Sequence, residues 1–216
     1  MITHDDPRLR LCVITDDLRD GIAGLVSRAQ ASERGGASMV LLRLKHVDAR
    51  TLVEVGRALV GALTAPVIVS ERLDVALACG AAGVHLNSAS APVVAIRPHV
   101  APEFLIGGSD TTADDLERAT DADYVTIGPV FGADAASLGT AGLRRLAVAC
   151  ARPVIAIGGI DATNVAAVRA AGATGVAVIR AVLGASDPER AARAFAVPAV
   201  ESATDDAGAR ATDTAG

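Results

Sequence analysis

Residues 153–181 read PVIAIGGIDATNVAAVRAAGATGVAVIRA, and the order of segments within them decides the fold. PVIAIG (153–158) is a short Val/Ile run. It is too short for a helix and lacks polar alternation, as expected of a strand covered on both faces. DATNVAAVRAAG (161–172) is Ala-rich, carries polar residues at helical spacing and ends on Gly172, a natural helix stop. GVAVI (175–179) is a second buried strand. Strand, helix, strand in this order predicts two neighbouring parallel strands joined by a crossover helix.

The same unit recurs along the chain. Val/Ile-rich runs appear at LCVIT (11–15), SMVLLRL (38–44), PVIVS (66–70), GVHL (83–86), FLIGG (104–108) and YVTIG (124–128). Helical patterns separate them. Ile22, Leu25, Val26 and Ala29 form one apolar stripe, 48–63 forms another with Asp48 placed as N-cap, and 112–120 a third. Three prolines between residues 88 and 103 predict only a short helix there. Eight units of about 20 residues predict an α/β fold, a single (β/α)8 TIM barrel over 11–199. An open doubly wound sheet would carry G-x-G-x-x-G after its first strand, where this chain has TDDLRDG (15–21). Residues 1–10 read as an N-terminal extension, and the polar, low-complexity 200–216 as a disordered tail.

Composition excludes several classes of function. With 20 basic and 25 acidic residues in 216, the net charge of −5 argues against a nucleic-acid partner. Hydrophobic residues make up 51%, yet there are only three Phe, one Tyr and no Trp, so Ala, Val, Leu and Ile must build the core. No apolar stretch reaches the roughly 18 residues of a membrane span, and no membrane partner is expected. The N-terminus MITHDDPRLR lacks the basic-then-apolar order expected of a signal peptide. Cys12, Cys79 and Cys150 sit in apolar runs and read as reduced structural thiols, which predicts a cytoplasmic protein. Ala-rich outer helix faces leave a homo-oligomer open.

A barrel of this kind keeps its chemistry at the C-terminal ends of the strands. AIGGI (156–160) and GVAVIRA (175–181) end the last two strands. Two glycines expose backbone N–H groups, and a helix opening after Arg180 would favour an anion, so Gly158, Gly159, Ile179 and Arg180 are the expected phosphate cup. Arg43 and Lys45, two residues apart, leave strand 2 on one face and are expected to hold a second anion in the mouth. Leu42 and Leu44 take the other face. His85 and Glu71 are candidate acid/base groups, with a hydrogen-bonded core histidine and a cap as the plainer alternatives. Asp16 is a further strand-end carboxylate, and His46 is expected to be exposed. No carboxylate pair has a diagnostic metal spacing.

LCVITDD (11–17), LLRLK (41–45), VIVSERLDVALACGAAGVHL (67–86), IGGS (106–109), DADYVTIGPVF (121–131) and PVIAIGGI with AGATGVAVIRAV (153–182) together resemble the thiamine phosphate synthase/TenI family. The resemblance implies a small phosphorylated thiamine precursor as partner. In the synthase branch it implies Arg43, Lys45 and Ser109 as pyrophosphate contacts and the Gly158-Gly159 and Ile179-Arg180 loops as a thiazole-phosphate cup. That branch uses Mg2+, and the chain departs from it in several places. Leu41 stands where the synthase has Gln, Ser70-Glu71 where it has Asn-Asp, and Ser90 where it has an aspartate magnesium ligand. The loop after GPVF lacks the synthase lysine. The serines of HLNSASAP (85–92) are similar to the TenI branch, but Pro129 stands where tautomerases of that branch carry a histidine.

These differences make a TenI-like protein the leading expectation. It would bind a thiazole or thiamine phosphate, with no cofactor and with Glu71 or His85 moving any proton. The alternatives are a divergent synthase with Glu71 at magnesium, and a non-catalytic thiamine phosphate sensor. A barrel for another phosphorylated metabolite is the fold-level alternative. The Ala/Gly-rich stretch 131–141 reads as a lid.

Overall fold

The computed structural model describes residues 2–110, 121–132 and 137–196. Eight parallel strands close into a barrel in sequence order. They are β1 (Leu11–Ile14), β2 (Met39–Leu42), β3 (Val67–Ser70), β4 (Gly83–Leu86), β5 (Leu105–Asp110), β6 (Tyr124–Ile127), β7 (Val154–Ile157) and β8 (Gly175–Val178). Among the described residues the helices are α1 (Gly21–Arg34), α2 (Ala49–Ala62), α3 (Leu73–Cys79), α4 (Val93–Ile96), α5 (Gly139–Ala149), α6 (Val165–Ala170) and α7 (Pro188–Arg193). The expected helix at 112–120 and the tail 200–216 lie outside the described residues, as does part of the expected lid.

Why the strands lack polar alternation is now plain: they bury both faces in two different cores. Val13, Val40, Val69, Val84 and Val125 point outward and meet the helices. Cys12, Ile14, Met39, Leu41, Ile68, Tyr124, Ile155 and Ala177 point inward and fill the barrel. Each fully buried aliphatic contributes about 1.5–3 kcal/mol. Leu9, just ahead of β1 in the expected N-terminal extension, is fully buried in the inner core.

Side-chain hydrogen bonds set several element ends. Asp48 caps α2 as expected, its carboxylate accepting from the Thr51 N–H at 2.9 Å. The expected helix over 161–172 starts only at Val165. The Asp161 carboxylate accepts from the Thr163 N–H and hydroxyl, and Asn164 accepts from the Asp161 N–H, so side chains compete with the first helical turn. β2 stops at Leu42 rather than 44 because the Arg43 N–H is taken by the Thr15 hydroxyl at 2.8 Å. The prolines hold α4 to one turn, followed by a 3-10 turn at Arg97–His99.

Candidate active site

Inward-facing positions near the strand ends line a cavity of about 360 Å3 at the C-terminal mouth. Arg43, Ser70, His85, Ser109 and Thr126 supply one arc of its wall, from β2 to β6, and Glu71 and Asn87 lie just beyond β3 and β4. Ile157, Ala177, Ile179, Cys12, Ile14 and Leu41 supply the other. A second cavity, of about 290 Å3, lies over the ends of β7 and β8 between residues 157–161 and 177–181. Ile157, Ala177 and Ile179 border both cavities.

The second cavity contains all four residues of the expected phosphate cup: Gly158, Gly159, Ile179 and Arg180. Among the described residues, the backbone N–H groups of Gly159, Ile160, Arg180 and Ala181 have no acceptor. Four donors without an acceptor among the described residues therefore border one small space, an arrangement suited to an anion. Gly158 (φ +99°) and Gly159 (φ +63°) turn the chain here, and a Cβ on Gly158 would lie 2.6 Å from the Pro129 Cα. The expected helix start after Arg180 is only a turn, in which the Val182 and Leu183 N–H groups donate to the Ile179 carbonyl, and α7 begins at Pro188. The cup is built from loop amides rather than a helix N-terminus.

In the first cavity the structure separates Arg43 from Lys45. Thr15 holds both backbone groups of Arg43, accepting from its N–H at 2.8 Å and donating to its carbonyl at 3.2 Å. That fixes Arg43 at the mouth. Lys45 does not line the cavity. It lies exposed past the end of β2, where His46 turns the chain at φ +69°, so strand parity no longer governs its direction. His46 is exposed as expected.

His85 is buried, and Nε2 lies 2.8 Å from Ser109 Oγ and 3.3 Å from Thr126 Oγ1. The ring stacks on Tyr124 at 5.7 Å. Gly107 makes room for the pair, since a Cβ there would sit 2.5 Å from His85 Nδ1 and 2.6 Å from the Tyr124 hydroxyl oxygen. Burial pushes the His85 imidazole down to about 4, so it is neutral near pH 7. With Nε2 engaged and Nδ1 buried without a partner among the described residues, His85 is poorly placed for proton transfer.

Glu71 is exposed at the mouth. Its backbone is left-handed (φ +64°) and its N–H donates to the His85 carbonyl at 2.8 Å. Among the described residues its carboxylate makes no hydrogen bond or ion pair. The Asn87 amide oxygen accepts from Ser90 Oγ and the Ala89 N–H. No group of three His, Cys, Asp or Glu able to hold a metal occurs among the described residues. Magnesium commonly takes one or two carboxylates plus substrate phosphate. The free Glu71 carboxylate fits that minimal role. Asp16 is not part of the cavity wall.

Cys12 and Cys79 are buried free thiols, and burial pushes Cys12 up to about 12. Reasoning from sequence treated Cys12 as structural, Leu41 only as a departure from the family, and overlooked Tyr124 and Thr126. Counting inward positions back from Gly128 would have found the last two.

The class defined so far is a (β/α)8 barrel with a polar and an apolar arc around one mouth and an amide cup beside it. A family model described as thiamine monophosphate synthase matches residues 11–182, and the chain belongs to that family. It is 42% identical over 193 residues to a thiamine-phosphate synthase of Roseiflexus sp. (strain RS-1), covering 85% of this chain and 82% of the relative. It is 44% identical over 170 residues to one from Moorella thermoacetica, covering 74% and 80%. The solved thiamine phosphate pyrophosphorylase of Pyrococcus furiosus superposes with a TM-score of 0.77 at 35% identity, covering 88% of this chain and 94% of that one. A 3-hexulose-6-phosphate synthase at 19% identity shares the fold (TM-score 0.65). The relatives favour the synthase alternative over the TenI-like expectation. Among the described residues no helix is long and apolar enough to cross a membrane.

Proposed function

We propose that the protein is a thiamine-phosphate synthase. It joins the methylene carbon of a pyrimidine pyrophosphate to the ring nitrogen of a thiazole phosphate. The carbon–oxygen bond to pyrophosphate breaks as the carbon–nitrogen bond forms, and pyrophosphate leaves. One observation carries this reading: two donor sets, different in kind, adjoin a single cavity. Arg43 and Ser109 stand on one arc, and the free amides of Gly159, Ile160, Arg180 and Ala181 beside the other. Two phosphorylated substrates call for two such sets.

The cup takes the thiazole phosphate through backbone N–H groups. Arg43, locked by Thr15, takes pyrophosphate oxygens in the bidentate way that guanidinium allows. Ser109 adds a hydroxyl. The apolar arc packs against the rings and excludes water. Glu71 would hold magnesium, which when bound neutralises charge on the leaving pyrophosphate. The proton-transfer reading loses support because His85 is neutral and engaged through Nε2.

The test is pyrophosphate release from the two substrates with and without magnesium. Magnesium-dependent release is expected, and Glu71→Gln should lower it roughly 100-fold at limiting metal. Thermal stabilisation by thiazole phosphate with no release would replace the synthase with a binding protein.

A further inference from the structure

We propose that His85 and Thr126 are positioning residues that wire the Ser109 hydroxyl as an obligate hydrogen-bond donor, so that this point of the mouth takes an acceptor, such as a phosphate oxygen, and rejects a group that can only donate. The inference rests on the synthase reading of the mouth. Its own content is how Ser109 is held.

A serine hydroxyl has two lone pairs and one hydrogen. Thr126 Oγ1 donates to Ser109 Oγ at 3.3 Å. His85 Nε2 lies 2.8 Å from the same oxygen. The tautomer follows from the other ring nitrogen. Nδ1 is buried and has no partner among the described residues. A hydrogen on Nδ1 would be an orphaned buried donor, the rarer and costlier kind of unsatisfied group. The hydrogen therefore sits on Nε2 and is donated to Ser109. Both lone pairs of Ser109 are then filled, and its own hydrogen is left to point into the mouth, where Ser109 is partly exposed.

A serine and a histidine at this distance also suggest a nucleophile and its base. That reading fails on the same geometry. A base must accept the serine proton and be oriented through its second nitrogen. Here Nε2 donates, and Nδ1 has no partner among the described residues.

The strands make the wiring possible. Ser109 and Thr126 are register partners on β5 and β6, and His85 pairs with Gly107 on the same inward face of β4 and β5. Gly107 leaves the space that lets the imidazole lie flat against Tyr124.

The experiment is calorimetric binding of inorganic pyrophosphate, at fixed magnesium, to the full chain. Variants are Ser109→Ala, Thr126→Val and His85→Leu, singly and combined with Ser109→Ala. His85→Gln, whose amide can donate from a similar place, serves as the rescue. Each variant's melting temperature is recorded so that only folded protein is scored. Ser109→Ala is expected to weaken binding about 10-fold or more. Thr126→Val and His85→Leu should each weaken it several-fold alone and add almost nothing to Ser109→Ala, as expected for residues acting through one group. His85→Gln should recover most of the affinity lost in His85→Leu. If the His85 and Thr126 effects persist in full without Ser109, the wiring is wrong while the synthase reading stands. If Ser109→Ala binds pyrophosphate as the parent does, Ser109 is no anion contact, and both the wiring and that part of the synthase reading fall.

Discussion

From β2 round to β6 the mouth is polar because side chains make it so: Arg43, Ser70, His85, Ser109 and Thr126 all face inward at or beside strand ends. From β7 through β8 to β1 the inward side chains are Ile157, Ala177, Ile179, Cys12 and Ile14, and the polar groups are backbone amides in the loops above. The two arcs offer donors by opposite means. A side-chain donor is lost by truncating that side chain. A backbone donor survives most substitutions and is lost when the loop cannot keep its shape. The arcs should therefore respond to opposite kinds of mutation.

The largest effect is expected where a side chain is added rather than removed. Gly158→Ala places a Cβ 2.6 Å from the Pro129 Cα, at φ +99°. Backbone sits on both sides of that contact, so the loop must move. We expect a stability loss of about 2–4 kcal/mol and a KM for thiazole phosphate raised on the order of 100-fold. The KM for the pyrimidine pyrophosphate should change far less. Equal changes in both would mean that the arcs do not work separately. Steady-state kinetics with each substrate varied in turn, beside a denaturant melt, measure this.

On the side-chain arc, Arg43→Ala should cut turnover about 100-fold, in line with the loss of one preorganised electrostatic donor. Stability should hardly change, since the guanidinium makes no ion pair among the described residues. Arg43→Lys should recover only part of the loss, because an ammonium does not reproduce the planar fork. Full recovery by lysine would show that charge alone matters here.

The contrast between the arcs also explains how much could be read beforehand. The barrel was legible because runs such as PVIVS and PVIAIG are apolar on both faces, as covered parallel strands are, and recur eight times between helical segments. The position of the glycine turn was legible because Gly158-Gly159 directly follows the apolar run of β7. The side-chain arc was harder. With strands of four residues, inward phase is a matter of a single position. Arg43 and Lys45 shared a parity, yet the strand ended at Leu42, ahead of both, because Thr15, far away in sequence, captured the Arg43 amide. Thr126 and Tyr124 passed for ordinary strand residues inside YVTIG, since only their parity with Gly128, and no feature of their own, marks the face that looks into the barrel. His85 was visible as a residue but not as a role. Its partners, Ser109 and Thr126, lie on other strands.

Burial of His85 in the polar arc carries a pH signature. Its imidazole is held at about 4, against an ordinary 6.5. Above pH 6.5 it is neutral both folded and unfolded and contributes no slope. As the pH falls from 6.5 towards 4, the unfolded chain takes up a proton that the folded chain refuses, so stability falls, by about 3 kcal/mol in total. Below 4 the loss is complete. Urea melts between pH 7 and 4 should show this slope in the parent and a shallower one in His85→Gln. Asp6, Asp48, Asp74 and Asp161, held below 3.8 by hydrogen bonds, act in a lower window and leave that difference intact. Identical slopes would mean that His85 gains its proton as easily folded as unfolded.

The smallest expected effect is a gain. Ser90 Oγ donates to the Asn87 amide oxygen, and Asn87 lines the mouth together with Glu71. Ser90→Asp would bring a second carboxylate to a region where, among the described residues, the Glu71 carboxylate is free. Magnesium affinity grows with ligand charge, and two carboxylates are within the usual number for this ion. The magnesium concentration for half-maximal activity should fall by about three- to tenfold, with saturated turnover little changed. Glu71→Gln in the Ser90→Asp background should restore the parent's requirement, because one carboxylate again remains. If Ser90→Asp leaves the magnesium curve where it was, the ion does not sit between β3 and β4. The polar arc would then act on pyrophosphate through Arg43 and Ser109 alone.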